Sequence, residues 1–158
     1  MKARIDFTRH LDAIRPLTAL SARVAASGLE HALLHLATMR VSQINGCAFC
    51  LDMHSKDARA EGETEQRLYL LGAWRETSLY TERERAALAW AEAVTLVADG
   101  HVPDELYAEV SSHFTEPELV ALTLAVVATN GFNRLNVAFR MEASDYKPGM
   151  FDHLRKAM

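Results

Sequence analysis

The sequence predicts an all-α protein, a single domain of six to seven helices spanning residues 1–158. Apolar residues recur at helical spacing in several stretches, and capping boxes precede three of them. No segment of four to eight residues alternates between apolar and polar side chains as a half-buried strand does. With 158 residues, of which 49% are hydrophobic and 24% charged, the chain can bury a core and is not disordered as a whole.

Local signals set the expected helix boundaries. Residues 1–15 show weak periodicity and are expected to be extended, and Pro16 suits the first turn of a short helix. Capping boxes are expected at Ser27–Glu30, Thr81–Glu84 and Thr115–Glu118. The predicted helices cover approximately residues 16–26, 27–45, 47–60, 64–74, 82–98, 103–112 and 115–141, the last running through or around Asn130-Gly131.

Charge and hydropathy exclude several classes of function. The formal net charge is -4, and no cluster of Lys and Arg is typical of a phosphate-binding surface, so we expect no nucleic-acid partner. The most apolar stretch, residues 119–129, is too short to span a bilayer and is expected to be a buried core helix. The N-terminus has no apolar signal-peptide region, which predicts a soluble, cytoplasmic protein.

The two cysteines are Cys47 and Cys50, three residues apart. A disulfide between them would close almost no loop and would contribute little to the stability of the fold. The pair therefore indicates a redox function or metal binding. On a helix, His54 shares a face with both cysteines. The helix N-terminus lowers thiol pKa values, and a nearby imidazole can take the proton. By this argument alone Cys47, nearest the helix start, is the preferred nucleophile.

Other interpretations of the pair remain open. Zinc could be held with His54 as a third ligand, but structural zinc sites usually have four ligands and no second C-x-x-C pair exists. Haem attachment requires C-x-x-C-H, and Leu51 stands at the histidine position. A thioredoxin fold would require strands around the motif. The two cysteines could also be inert core residues.

Neighbouring polar residues have simple explanations. His31 and His35 are four residues apart, a spacing that could bind a metal ion. We prefer to interpret them as ordinary residues of a polar helix face. Glu30 is expected to be a capping residue, and Asp52 and Glu61 are expected to be solvated helix residues.

Residues 40–68, RVSQINGCAFCLDMHSKDARAEGETEQRL, closely resemble the AhpD-like alkylhydroperoxidase branch of the carboxymuconolactone decarboxylase family. The resemblance continues over residues 68–96 and to NGFNRLNVAFR at 130–140, and covers 27–142 in all. It implies an all-helical fold that assembles into homo-oligomers, trimers or hexamers. It also implies thiol peroxidase activity on hydroperoxides, with an unidentified thiol reductant and without a cofactor or metal.

The resemblance also assigns roles within the motif. It implies that Cys50 is oxidised to sulfenic acid, that Cys47 resolves it, and that His54 belongs to a proton relay. We therefore prefer Cys50 as nucleophile and expect it to have the lower pKa. The family relay usually includes a glutamate twelve residues before the first cysteine; here His35 stands there, and a histidine can also carry protons. Phe49 replaces a histidine of the family's best-known peroxidase.

Three other functions compete with a peroxidase. The cysteines could serve a thiol–disulfide oxidoreductase or redox sensor with little peroxidase activity. A non-redox enzyme of the decarboxylase type does not depend on a C-x-x-C pair, so the intact pair argues against it. The third alternative is a binding oligomer in which the cysteine site is vestigial. The motif gives no role to Asn130, Asn133, Arg134 and Asn136, beyond capping or bridging helices at a subunit interface.

Overall fold

The computed structural model describes residues 2–143 and 145–151, except for the side chain of Thr8. These residues are helical and contain no strand, as the sequence predicts. Eight α-helices are present in them: α1 Leu11–Ala25, α2 His31–Ile44, α3 Ala48–Ala60, α4 Glu65–Leu70, α5 Glu82–Thr95, α6 Val97–Gly100, α7 Asp104–Ser111 and α8 Glu116–Phe139. Two 3₁₀-helices, Phe7–His10 and Leu71–Glu76, complete the set.

The N-terminal helix begins earlier than predicted. Residues 7–15 are helical rather than extended, and Pro16 lies inside α1 rather than in its first turn. Packing explains the difference, since α1 lies along α8 and buries Val24, and such tertiary contacts stabilise a helix that local signals do not predict. Gly131 allows the close approach: a Cβ atom there would lie 3.1 Å from Leu17 of α1. This glycine therefore sits within α8 without ending it.

The predicted capping box at Ser27 and Glu30 is wrong. Helix α2 begins at His31, and Ser27 Oγ accepts from the backbone N–H of Leu29 instead. The Glu30 carboxylate binds Arg83, which also binds Glu118. An ion pair with a residue 53 positions away replaces the local cap, a contact that no local motif could predict.

Capping is as predicted at the two later helices. Thr81 and Glu84 form the reciprocal box that opens α5, and Glu118 accepts from the backbone N–H of Thr115 at the start of α8. The helix that follows Thr81 is shorter than expected because the chain departs from helical geometry at Leu96, where α6 starts separately. Residues 64–74 likewise divide into α4 and a 3₁₀-helix.

Helix α2 lies at the centre of the fold. One side packs with α5, α7 and α8 through a cluster that includes Leu33, Val41 and Leu122. The other side packs with α3 and the segment from α4 to α5 through a cluster that includes Leu36 and Trp74. This position brings one face of α2 against α3, where the cysteines lie. Within the described residues, no helix combines the length and hydrophobicity needed to cross a membrane.

Candidate active site

The cysteine pair lies at the start of α3. Gly46, with a positive φ of 64°, turns the chain out of α2, and Cys47 is the N-cap residue of α3. The backbone N–H of Cys50 donates to Cys47 Sγ at 3.4 Å. Both cysteines are free thiols, both are 1% exposed, and their Sγ atoms are 2.6 Å apart and share a hydrogen bond. The two sulfurs are therefore close enough to join without movement of the helix.

A network of asparagines holds this turn against α8. Asn136 Nδ2 donates to Cys50 Sγ at 3.2 Å. Asn45 Nδ2 donates to the side-chain oxygens of Asn130 and Asn133, each at 2.9 Å, and Asn133 in turn donates to Ser42 Oγ at 3.2 Å.

These contacts assign a structural role to the asparagines of α8, for which the sequence motif indicated none. Asn130, Asn133 and Asn136 connect α8 to the turn between α2 and α3 through their side-chain amides. Arg134 supports the arrangement by donating to the backbone and side-chain oxygens of Asn130. Their spacing of three along α8 was the available signal, since it places all three amides on one side of the helix.

A cavity of about 710 Å³ leads to Cys50. Its walls come from α1, α2, α3, α8 and the segment around Tyr146, and most of them are apolar. Cys50 borders this cavity, whereas Cys47 lies behind it at the turn. Phe49, at the position where the best-known relative has a histidine, forms part of the apolar wall and lies near Phe151, with ring centroids 6.4 Å apart. A molecule in the cavity would meet Cys50 first.

Three histidines and two carboxylates, Asp57 and Glu61, line the same cavity. His54 is on α3, one turn after Cys50, as the sequence predicts. His35 Nε2 on α2 lies 3.1 Å from Glu61 Oε2, and His31 Nδ1 lies 3.6 Å from the same oxygen. Glu61 is therefore not simply a solvated helix residue. Asp52 is closer to expectation, since it pairs with Lys56 one turn away.

No metal site emerges from these residues. Among residues 2–143 and 145–151, no group of three or more His, Cys, Asp or Glu side chains is arranged to hold a metal ion. The two histidines of α2 face a carboxylate, which suits proton transfer as well as charge pairing.

The two thiols differ in acidity. Hydrogen bonding from the Cys50 thiol, helped by the backbone N–H of Cys50, lowers the pKa of Cys47 to about 7 although burial opposes it. The hydrogen bond with Cys47, burial and the charge on Cys47 together raise the pKa of Cys50, and Asn136 opposes this only in part. The expectation that Cys50 has the lower pKa is therefore reversed in the resting pair, because the Cys50 thiol and, to a smaller extent, the Cys50 backbone N–H stabilise charge on Cys47.

This acidity predicts a titration of the reduced protein. Thiolate absorbance in the ultraviolet should rise by one equivalent with a midpoint near pH 7, because the pKa of Cys47 is lowered to about 7. Below that midpoint both thiols are protonated, and above it one charge is present. In the Cys50→Ala variant the midpoint should rise toward the usual value of about 8.5, because the donor thiol is gone. Two equivalents appearing together near pH 8.5 would contradict the asymmetry.

Comparison with known proteins agrees with this architecture. The sequence model of the carboxymuconolactone decarboxylase family matches residues 12–93. The uncharacterized protein YdfG of Bacillus subtilis (strain 168) is 46% identical over 118 residues, which are 75% of this chain and 80% of YdfG. The uncharacterized protein YnjA of Escherichia coli (strain K12) is 30% identical over 117 residues, 74% of this chain and 64% of YnjA.

Solved structures show the same fold. ATU0492 from Agrobacterium tumefaciens is a protein of unknown function that has been suggested to be the antioxidant defence protein AhpD. It is 42% identical and superposes with a TM-score of 0.88 over 92% of this chain and all of its own. The debrominase Bmp8 is 20% identical, with a TM-score of 0.78 over 96% of this chain and 77% of its own, which shows the fold alone. Motif, fold and sequence similarity together show that the chain belongs to the carboxymuconolactone decarboxylase family, as an AhpD-like member.

Proposed function

We propose that this protein is a thiol-dependent peroxidase that reduces hydroperoxides by cycling Cys47 and Cys50 between dithiol and disulfide. One observation carries the proposal: two reduced sulfurs lie 2.6 Å apart, and one of them borders a deep, mostly apolar cavity. A peroxide entering that cavity reaches Cys50, and the second thiol needed to complete the cycle is already in contact.

The first step forms the sulfenic acid. Cys47 is the thiol that is deprotonated before the reaction, because its pKa is lowered to about 7. The Cys47 thiolate takes the proton of Cys50 as the Cys50 sulfur attacks the peroxide oxygen. An S–O bond forms, the O–O bond breaks, and the departing oxygen leaves as an alkoxide that takes up a proton. His54, on the same cavity wall, is the group proposed to supply it. The products are Cys50 sulfenic acid and an alcohol.

The second step forms the disulfide. The Cys47 sulfur attacks the sulfenic sulfur of Cys50, the S–O bond breaks, and hydroxide leaves with the remaining thiol proton as water. Two thiols and one hydroperoxide thus give one disulfide, one alcohol and one water. An external thiol reductant then restores the dithiol by exchange.

Burial of the pair favours this activity over that of a thiol–disulfide oxidoreductase. Both cysteines are 1% exposed, so the sulfur of a partner protein could reach Cys50 only by entering the cavity. A small hydroperoxide is of a size to enter the cavity of about 710 Å³ that Cys50 borders. A redox sensor with the same two cysteines remains the alternative, and a low rate of peroxide reaction would favour it.

Oxidation of the reduced protein by hydroperoxide tests the proposal. Cumene hydroperoxide should consume two thiols per chain, leave an intramolecular disulfide, and yield one equivalent of alcohol. Thiol titration and mass spectrometry of the quenched protein measure this. Slow loss of both thiols would favour the oxidoreductase or sensor. Thiols that stay reduced would favour a non-redox enzyme of the decarboxylase type or a binding protein.

The remaining expectations about this protein are proposals of the same kind. A homo-oligomer, trimer or hexamer, is supported by apolar side chains on the outer face of α8, where Val120 is 55% and Val127 is 48% exposed. An unidentified thiol reductant and a cytoplasmic location suit a cycle that must return to the dithiol.

A further inference from the structure

A polar track runs along the cavity from the cysteines toward solvent. Cys50, His54 and Glu61 are separated by four and then seven residues, so α3 and its C-terminal end present them on one face. His35 and His31, one turn apart on α2, line the cavity opposite. Exposure increases along the track, from 1% for Cys50 through 17% for the His35 side chain to 49% for Glu61 and 62% for His31.

The carboxylate of Glu61 lies between the two histidines of α2. Its Oε2 atom is 3.1 Å from His35 Nε2 and 3.6 Å from His31 Nδ1. Glu61 is the C-cap residue of α3, and Gly62, with a φ of 100°, ends the helix directly after it. The packing of α2 against α3 therefore places a carboxylate oxygen beside a buried imidazole nitrogen, His35 Nε2, that makes no hydrogen bond within the described residues.

Other charged groups of the cavity have different partners. Apart from Cys50 and the Tyr146 hydroxyl, six side chains of the wall are charged or titratable. They are Arg15 from α1, His31 and His35 from α2, His54 and Asp57 from α3, and Glu61 at the C-terminal end of α3. Arg15 binds Asp12, and the Asp57 carboxylate accepts from the Tyr146 hydroxyl at 2.7 Å. Glu61 is the wall carboxylate that lies beside His31 and His35.

We propose that Glu61 is the carboxylate of a proton relay, acting through His35, that exchanges protons between the cysteine site and solvent. The inference rests on the proposed peroxidase function, because the alkoxide that leaves during Cys50 oxidation must take up a proton. The relay resupplies His54, the proposed donor of that proton, through the water-accessible cavity and takes up a proton from solvent at the exposed end, where Glu61 and His31 lie. Glu61 touches neither sulfur nor substrate, so it is a positioning residue for His35.

The relay explains how the site works with histidine at position 35. The resemblance described above places a glutamate there, on α2. In this chain the carboxylate comes instead from the end of α3 and meets His35 across the helix interface. The carboxylate charge is therefore retained near the relay position although the residue that supplies it is different.

The substitution Glu61→Gln tests the relay because it keeps the size of the side chain and removes its charge. The rate constant for oxidation by cumene hydroperoxide should fall about tenfold at low buffer concentration. This is less than the roughly 10²–10⁴-fold of a direct general acid, because Glu61 acts through His35. Imidazole buffer at high concentration should restore most of the rate in the variant and leave the wild type unchanged, since a diffusing buffer replaces the missing relay.

Two further variants control for structure. Glu65→Gln removes a carboxylate that is 63% exposed and lies outside the cavity, and it should behave as the wild type does at every buffer concentration. Glu61→Asp retains the charge and should recover part of the rate at low buffer. A Glu61→Gln rate equal to that of Glu65→Gln, or a loss that imidazole does not rescue, would overturn the relay.

Reduction of the Cys47–Cys50 disulfide by dithiothreitol separates this inference from the peroxidase proposal. The departing sulfur takes up a proton in that reaction, and no peroxide takes part. If the wild type does not react with peroxide, yet Glu61→Gln makes reduction slow and dependent on imidazole, the peroxidase proposal fails and the relay stands. If the wild type reacts with peroxide but neither reaction of Glu61→Gln depends on buffer, only the relay fails.

Discussion

Replacing Cys50 by serine is expected to abolish the reaction with hydroperoxide, whereas replacing Cys47 by serine should leave a stable sulfenic acid on Cys50. The first variant removes the sulfur that borders the cavity. The second keeps that sulfur but removes the thiol that would condense with the sulfenic acid. Mass spectrometry after labelling with a dimedone-type probe shows which sulfur carries oxygen in each variant.

The two single-cysteine variants show whether access to the cavity or the acidity of the thiol determines which cysteine reacts with the peroxide. The lowered pKa of Cys47 favours it as the sulfur that carries charge, and its place behind Cys50 keeps it from the cavity. We expect access to prevail, because a thiolate that cannot touch the peroxide oxygen cannot attack it, whereas a proton crosses 2.6 Å readily. A probe adduct found on Cys47 and never on Cys50 would show that the helix-terminus argument was right and the assignment to Cys50 wrong.

Replacing His54 by alanine should slow oxidation of Cys50 by roughly 10²–10⁴-fold, the usual contribution of a general acid or base. His54 is one turn beyond Cys50 and lines the same cavity, so its loss removes the proposed proton donor for the departing oxygen. The measurement is the rate constant under single-turnover conditions, with added imidazole as a rescue. Rescue by imidazole would identify the lost function as proton transfer.

A histidine outside the cavity provides the control for this variant. His113 lies after α7, away from the cavity walls, and His113→Ala should oxidise at the wild-type rate. Circular dichroism should show the same helical content for both variants. A His54→Ala rate within about twofold of wild type would remove His54 from the mechanism, because no general acid or base contributes so little.

The sequence predicted the class of the fold and the placement of the cysteine motif at the start of a helix because both depend on short-range signals. The Thr81 box is confirmed because its partners are three residues apart, and the cysteines and His54 share α3 because one helix carries them all. Local signals failed where a distant partner decided the outcome. Arg83 binds Glu30 and displaces the predicted cap, and α8 supports a helix over residues 11–15 that local periodicity does not reveal.

The sequence by itself determined that Cys47, Cys50 and His54 lie together, since their spacing places all three on α3 or at its N-cap. Only the tertiary structure decided how they are used. The contact of Cys47 with the Cys50 thiol and its N-cap position set the order of their pKa values, and the cavity extends to Cys50 and not to Cys47. Contacts between α3 and α2 bring Glu61 to His35, 26 positions apart in the sequence, because side-chain positions across a helix interface depend on how whole helices pack.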